Sequence, residues 1–274
     1  MLLFEKPSLR TRVSLETAAA QLGGHSIYLE TQMTHLGKGE SLADMAKVLS
    51  SYADFIAARM FDQSQLVEIA DNSSVPVINA LTDLEHPTQA LADVYTILQH
   101  HGRIKDLKIA YLGNVANNTA NSLMLTAAKL GAEIALVGPV KDYPPNSLYF
   151  NKAREYSKVF AYDSLEEGLE DADILYTDTY LGMPALVQSK EDAARRELEI
   201  EKRNKIFLPY QLNSKAMSMA AKTALAMHCL PAHRGVEITD DVLDGPRCIA
   251  WEQAANRLLL NKAILLYLSE VDKV

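Results

Sequence analysis

Apolar positions along the chain change period repeatedly, and each change marks an element. Leu15, Ala18, Ala19 and Leu22 fall at i, i+3, i+4 and i+7 before Gly23-Gly24 stops the pattern, which predicts an amphipathic helix with Ser8 as a natural N-cap. Short apolar runs then alternate with helical patterns: SIYLE (26–30), a helix through SLADMAKVLSSY, FIAARM (55–60), a helix through SQLVEIADNS, and VPVINAL (75–81). A long helix follows EHPTQ, with Leu91, Val94, Tyr95 and Leu98 at helical spacing up to HHGR. The alternation restarts with LKIAYLGN (107–114), a helix through NSLMLTAAKLG, AEIALVGP (132–139), a helix near SLEEGLEDA, and DILYTDTY (173–180).

Repeated strand-helix alternation predicts an α/β fold of two similar domains, each a parallel β-sheet flanked by helices and joined by interdomain helices. The expected division is 1–100 and 101–251. A strongly amphipathic last helix, about 252–274, would bury residues such as Leu258, Leu265 and Leu268 and pack back onto the first domain. The charged segment SKEDAARRELEIEKRNK (189–205) reads as a solvated helix or a mobile loop.

Length and composition sharpen this picture. With 274 residues, 48% of them apolar, the chain can bury a sizeable core. A net charge of −8, with both signs interspersed, argues against nucleic acid or an anionic membrane as partner, so any anion site must be local. No apolar run approaches the ~18 residues of a membrane span, and MLLFEKPSLR is too short in its apolar part for a signal peptide. Cys229 and Cys248 suit a reducing compartment, so a cytoplasmic protein is expected.

Candidate chemistry begins at KPSLRTRVS (6–14), which puts Arg10 and Arg12 where a helix starts. The helix dipole makes each cation there unfavourable by roughly 0.3–1 kcal/mol. An anion held by Ser8, Thr11, free backbone N–H groups and a guanidinium would offset that cost. The competing explanation is that the arginines pair with Glu5 or Glu16. LGNVANN follows a strand but lacks the G-x-G-x-x-G spacing of a dinucleotide fingerprint. There Asn117 and Asn118 either cap the helix or present amides to a small polar ligand. His86 in HPTQ falls at the C-terminal edge of a strand, where open α/β sheets bind ligands, and Pro87 suits the first helical position. His228, Cys229 and His233 in HCLPAHRG suggest zinc only weakly, because neighbours on a strand point to opposite faces. A buried structural cysteine or a substrate-contacting one ranks above metal.

Together FEKPSLRTR, HPTQ, HCLPAHRG and the late ANR (255–257) occur in the order and approximate spacing of the transcarbamylases, and the whole chain resembles that family. YQLNSKAM with HCLP looks like its ornithine-directed branch. The resemblance implies a carbamoyl-phosphate domain followed by an amino-acid domain, and active sites shared between the subunits of a trimer. It also implies transfer of the carbamoyl group from carbamoyl phosphate to L-ornithine, giving citrulline and phosphate without a metal or organic cofactor.

By the same resemblance, Ser8, the Leu9 amide, Arg10 and Thr11 grip the phosphate with Arg59, while Arg59, His86 and Arg257 surround the carbonyl oxygen. Gln89 and the Leu230 carbonyl hold the carbamoyl amide, with Cys229 at the same group. His35 reaches in from the neighbouring subunit. Arg12 is left to a structural ion pair. An alkyl ammonium with a pKa near 10.4 leaves only about one molecule in 2,500 as free amine at pH 7, so the acceptor must be bound and helped to lose a proton. Asp178 and Cys229 match the residues that contact that amine, and Asn118, Gly182 and the Met183 backbone match contacts to the amino-acid end.

The sequence departs from the family in three places. DTYLGMP (178–184) stands where Asp-x-Trp-x-Ser-Met-Gly is usual, which removes a serine hydroxyl and stiffens the loop at Pro184. Asn114 stands where aspartate is usual. Family members normally carry a helical segment ahead of the first strand, so either the start is truncated or the last helix lacks its usual partner. Two alternatives therefore stand beside ornithine: a sister enzyme using putrescine or another amine, and a catalytically silent homologue.

Overall fold

The computed structural model describes residues 1–31, 39–181 and 190–271, which form two compact units. The first comprises Met1–Ala92 and Ala255–Val274, and the second Asp93–Ala254.

In the first unit, β1 (Leu2–Phe4), β2 (Tyr28–Glu30), β3 (Ile56–Arg59) and β4 (Val77–Leu81) form a parallel four-stranded sheet in the order β2-β1-β3-β4. Such a sheet is covered on both faces, so its central strands read as unbroken apolar runs. Leu2, Phe4, Ala57 and Ile78 pack to one side with Leu15 of α1 (Leu9–Gln21). Leu3 and Ala58 pack to the other with Met45 of α2 (Leu42–Ser50) and Ile69 of α3 (Gln63–Asn72). Side-chain oxygens cap all three helices; in α1 the Ser8 hydroxyl accepts from the Thr11 N–H at 3.3 Å.

Two helices are divided between the units. The helix α4 (Pro87–His101) contributes residues up to Ala92 to the first unit. The last helix, α11 (Ala250–Val271), contributes residues from Ala255 onward, and its Ile264, Leu265 and Leu268 pack on the Leu2–Phe4 face.

The second unit holds β5 (Lys108–Leu112), β6 (Glu133–Val137), β7 (Val159–Tyr162), β8 (Ile174–Thr177) and β9 (Leu225–His228), all parallel in the order β7-β6-β5-β8-β9. The chain builds outward from β5 to β7 and then returns to the other side of β5, so the strand order reverses between β5 and β8. Open α/β sheets bind ligands beside such a reversal, at the carboxyl ends of the strands. Helices α5 (Asn118–Lys129), α6 (Ser147–Arg154), α7 (Leu165–Leu169), α8 (Lys190–Phe207), α9 (Ser214–Met219) and α10 (Asp240–Leu243) complete the unit.

Several elements differ from the pattern reading. Neither α6 nor β7 is announced by an apolar run, because β7 is an edge strand that exposes Phe160. The α4 helix exposes Leu91 and Leu98 and buries Ala90, Val94 and Ile97 together with Asp93 and Thr96, so its inward face is partly polar. The charged 189–205 segment is helical from Lys190 onward as α8, and an Arg203–Glu199 pair lies along it at 2.7 Å. Among the described residues, no helix is long and apolar enough to cross a membrane.

Tyr180 is fully buried, with its ring 5.3 Å from that of Phe207. Gly113 makes room for it: a Cβ there would sit 2.7 Å from Tyr180 Cε1, and φ is +93°. Gly113→Ala should therefore cost about 2 kcal/mol or more, from left-handed backbone strain plus overpacking. Urea denaturation of the variant beside wild type measures it.

Candidate active site

In the first unit, four elements bring cations and neutral acceptors together. Arg59 ends β3, Thr11 lies in the first turn of α1, His86 precedes α4, and Arg257 projects from α11. Arg59 Nη1 and Arg257 Nη2 both donate toward Thr11 Oγ1, each at 3.5 Å. Arg257 also donates to Gln89 Oε1 and to Thr88 Oγ1, the latter at 3.2 Å. Thr11, Arg59, His86, Gln89 and Arg257 are all buried, whereas Ser8 and Arg10 are half-buried and Leu9 is exposed at the helix start. No acidic side chain occupies the first turn of α1, so the helix dipole adds positive potential to that of the arginines.

Burial, reinforced by charge crowding, sets the electrostatics of this cluster. Burial, then Arg257 and Arg10, lower the Arg59 pKa to about 9. Burial, then Arg257, Arg59 and Arg10, push the His86 pKa well below its ordinary value, so the imidazole is neutral. Such a cluster can hold a dianion and polarise a carbonyl oxygen, because an anion relieves the repulsion. Arg12 does otherwise: its Nε donates to Glu16 Oε1 at 3.0 Å and its guanidinium lies 3.6 Å from the Tyr28 ring centroid. Lys6, from the same motif, is buried against Asp83 and the Phe61 ring.

The second unit carries an acid-thiol pair at the carboxyl ends of its central strands. Asp178 follows β8 and Cys229 follows β9, and Cys229 Sγ donates to Asp178 Oδ1 at 2.9 Å. The Thr179 N–H donates to the same oxygen at 2.7 Å, and Asn117 Nδ2 donates to Asp178 Oδ2 at 3.3 Å. Asn117 thus both caps α5, accepting from the Ala120 N–H at 2.8 Å, and orients the carboxylate, while Asn118 is the half-buried first residue of that helix. Tyr111 donates to Asn117 Oδ1 at 3.0 Å and stacks on Tyr176, which donates to the buried Asp93 at 3.1 Å. Gln253 donates to Asp93 at 2.7 Å and accepts the His228 N–H at 3.1 Å. Asn114, where the family usually has aspartate, donates to the Tyr180 carbonyl at 3.2 Å.

Asp178, His228 and Cys229 bring metal-ligand atoms within 4.8 Å of one another. Both ring nitrogens of His228 are already engaged, however: Nδ1 accepts the Leu230 N–H at 2.8 Å, and Nε2 meets Glu237 Oε1 at 3.1 Å. A metal would have to displace one of these bonds. His233 faces Glu237, with Nδ1 at 3.5 Å from Oε2, rather than joining Cys229. His35, Gly182 and Met183 lie outside the described residues. Sequence reasoning did not single out Thr88, Asp93, Glu237 or Gln253 for the site. The available signal for Glu237 was an acid only nine residues after His228 in one continuous motif.

These observations define an α/β protein of two parallel-sheet units, one with a buried cation cluster and the other with an acid-thiol pair. The chain belongs to the aspartate/ornithine carbamoyltransferase family: its carbamoyl-P binding domain matches residues 1–99 and its Asp/Orn binding domain residues 105–268. The chain is 45% identical to the ornithine carbamoyltransferase of Methanocaldococcus jannaschii, over 98% of this chain and 86% of that protein. It is also 45% identical to a catabolic ornithine carbamoyltransferase of Thermoplasma volcanium, over 96% of this chain and 84% of the relative. Among solved structures, the ornithine carbamoyltransferase of Pyrococcus furiosus matches with a TM-score of 0.86 at 43% identity, covering 96% of this chain and 82% of that one.

The neutral, buried His86 sets a pH limit on the fold. Below its ordinary value of 6.5 the unfolded chain takes up a proton that the folded site refuses, so stability falls as pH drops. The slope reaches about 1.4 kcal/mol per pH unit for each proton so excluded. His101, lowered first by burial, adds the same sign. Melting curves between pH 7.5 and 5 should show the decline, and His86→Gln should flatten it. Inorganic phosphate at constant pH should raise the melting temperature, and least in Arg257→Ala.

Proposed function

We propose that this chain is an ornithine carbamoyltransferase, converting carbamoyl phosphate and L-ornithine to L-citrulline and phosphate. The observation that carries the reading is the gathering of the buried Arg59 and Arg257 on Thr11, Thr88 and Gln89, in the field that also keeps His86 neutral. Residues 1–100, with the last helix, are assigned to carbamoyl phosphate, and 101–251 to the amino acid.

In the first of these, Ser8, the Leu9 N–H, Arg10, Thr11 and Arg59 take the phosphate and stabilise it as it departs. Arg59, His86 and Arg257 support the carbonyl oxygen as it gains charge, which is where preorganised donors lower the barrier most. Neutral His86 donates a hydrogen bond there without competing for the cation positions. Gln89 orients the carbamoyl amide.

In the second, Asp178 attracts the side-chain ammonium of ornithine, and Cys229 lies beside it as the amine sheds its proton and attacks the carbonyl carbon. The first proton passes to solvent, the C–N bond forms, and the tetrahedral intermediate collapses as the C–O bond to phosphate breaks and the departing phosphate takes the second proton from the attacking nitrogen. Leu230 offers its carbonyl to a substrate N–H, and Asn118, Gly182 and Met183 address the amino-acid end. The protein works in the cytoplasm as a homotrimer, in which His35 of each copy completes its neighbour's site.

The substituted DTYLGMP loop favours testing a second acceptor class. Citrulline formation with ornithine, run beside putrescine, lysine and aspartate, discriminates: turnover with ornithine alone is expected, and a preference for putrescine would replace the reading. Arg59→Ala should abolish turnover while lowering stability by no more than about 1 kcal/mol, because its removal also relieves repulsion among buried cations. A large loss of melting temperature with activity intact would count against the assignment.

A further inference from the structure

Leu230 is held at φ +56°, a left-handed conformation that costs a branched residue about 1–2 kcal/mol and persists only where the surroundings enforce it. Their source is visible. The Leu230 N–H donates to His228 Nδ1 at 2.8 Å, which requires an unprotonated Nδ1 and leaves the ring proton on Nε2. That proton points to Glu237 Oε1 at 3.1 Å, and the same oxygen accepts the His233 N–H.

One carboxylate therefore pins both ends of the 229–232 loop, through the His228 ring at its start and the His233 backbone at its finish. His228 and Glu237 are completely buried. Burial alone would raise the Glu237 pKa, but its interactions with His228 and His233 together outweigh it and the net shift is downward, so the group is a carboxylate. Gln211 fastens the next turn by donating to the carbonyls of Gly235 and Val236, each at 2.9 Å.

We propose that Glu237, acting through His228, is a positioning residue that fixes the Cys229 thiol against Asp178 and aims the Leu230 carbonyl; its role in turnover rests on the carbamoyl-transfer reading above. Neither side chain need touch substrate. If the pin is released, Leu230 relaxes to an ordinary φ, which rotates its carbonyl and withdraws Cys229. A misplacement of about 1 Å at reacting groups can cost roughly a hundredfold in rate.

The test uses Glu237→Ala, Glu237→Gln and His228→Gln in the full chain. Glutamine at 237 can keep its oxygen on both donors and turn its amide toward the His233 ring, so it should preserve the geometry. Glutamine at 228 can reach Glu237 but removes the ring nitrogen that holds Leu230. Two readouts are taken on protein shown to be folded by circular dichroism. One is the alkylation rate of Cys229 by iodoacetamide, followed by peptide mass spectrometry with Cys248 as internal reference; the other is kcat/KM for citrulline formation.

Glu237→Ala and His228→Gln should each speed Cys229 alkylation by about fivefold or more, because the thiol loses its fixed partner. They should lower kcat/KM by roughly tenfold to a hundredfold, with Glu237→Gln within about threefold of wild type in both. Wild-type alkylation and turnover in folded Glu237→Ala and His228→Gln would overturn the proposal, and so would a Glu237→Gln as impaired as Glu237→Ala. If one variant does not fold, the other carries the test. Should wild type lack ornithine turnover while the alkylation pattern holds, the carbamoyl-transfer reading falls and the positioning of the loop stands.

Discussion

Burial of like-charged groups beside one another sets the chemistry of the first unit. Arg59 and Arg257 donate to Thr11, Thr88 and Gln89, neutral acceptors that fix guanidinium geometry without cancelling charge. A carboxylate at any of these positions would stabilise the empty fold and compete with an anionic ligand. The parallel sheet, the capped start of α1 and the helical platform for Arg257 supply the rigidity that holds like charges close together. His86 stays neutral chiefly because it is buried, and a fourth cation there would also add to the repulsion.

The second unit shows the complementary arrangement. Asp178 receives hydrogen bonds from Cys229, Thr179 and Asn117, which orient it. Behind it runs a continuous buried path through Tyr111, the stacked Tyr176, Asp93 and Gln253 to the His228 backbone, returning to Cys229. Burial and neighbouring acids raise both tyrosine pKa values well above normal, so each hydroxyl remains a donor. Such a path resists distortion because breaking any link strands a polar group away from water.

Much of this was legible in the sequence, for identifiable reasons. Central parallel strands such as IAAR and KIAYL are buried on both faces and announce themselves as apolar runs, whereas edge strand β7, with Phe160 exposed, does not. The inward face of α4 was misjudged because Asp93 and Thr96 point into a polar core while Leu91 and Leu98 lie outside; hydropathy alone assigns them the other way. Arg10 and Arg12 look equivalent in KPSLRTRVS, yet Arg12 has Glu16 one helical turn away, a partner visible in the string. Glu237, Gln253 and Asp93 were invisible as site components because their importance comes from partners far along the chain, which spacing does not encode.

The Asp93 link has one further consequence. Its carboxylate accepts at once from Gln253 and Tyr176, in a setting with no exposure to water, so replacing any one of the three leaves the other two mismatched. Asp93 and Gln253 also lie within two residues of the two points where the chain passes between units. Positions 93, 176 and 253 are therefore one coupled unit, in which a change at any one is tolerated only with a matching change at the others, across 160 residues of chain.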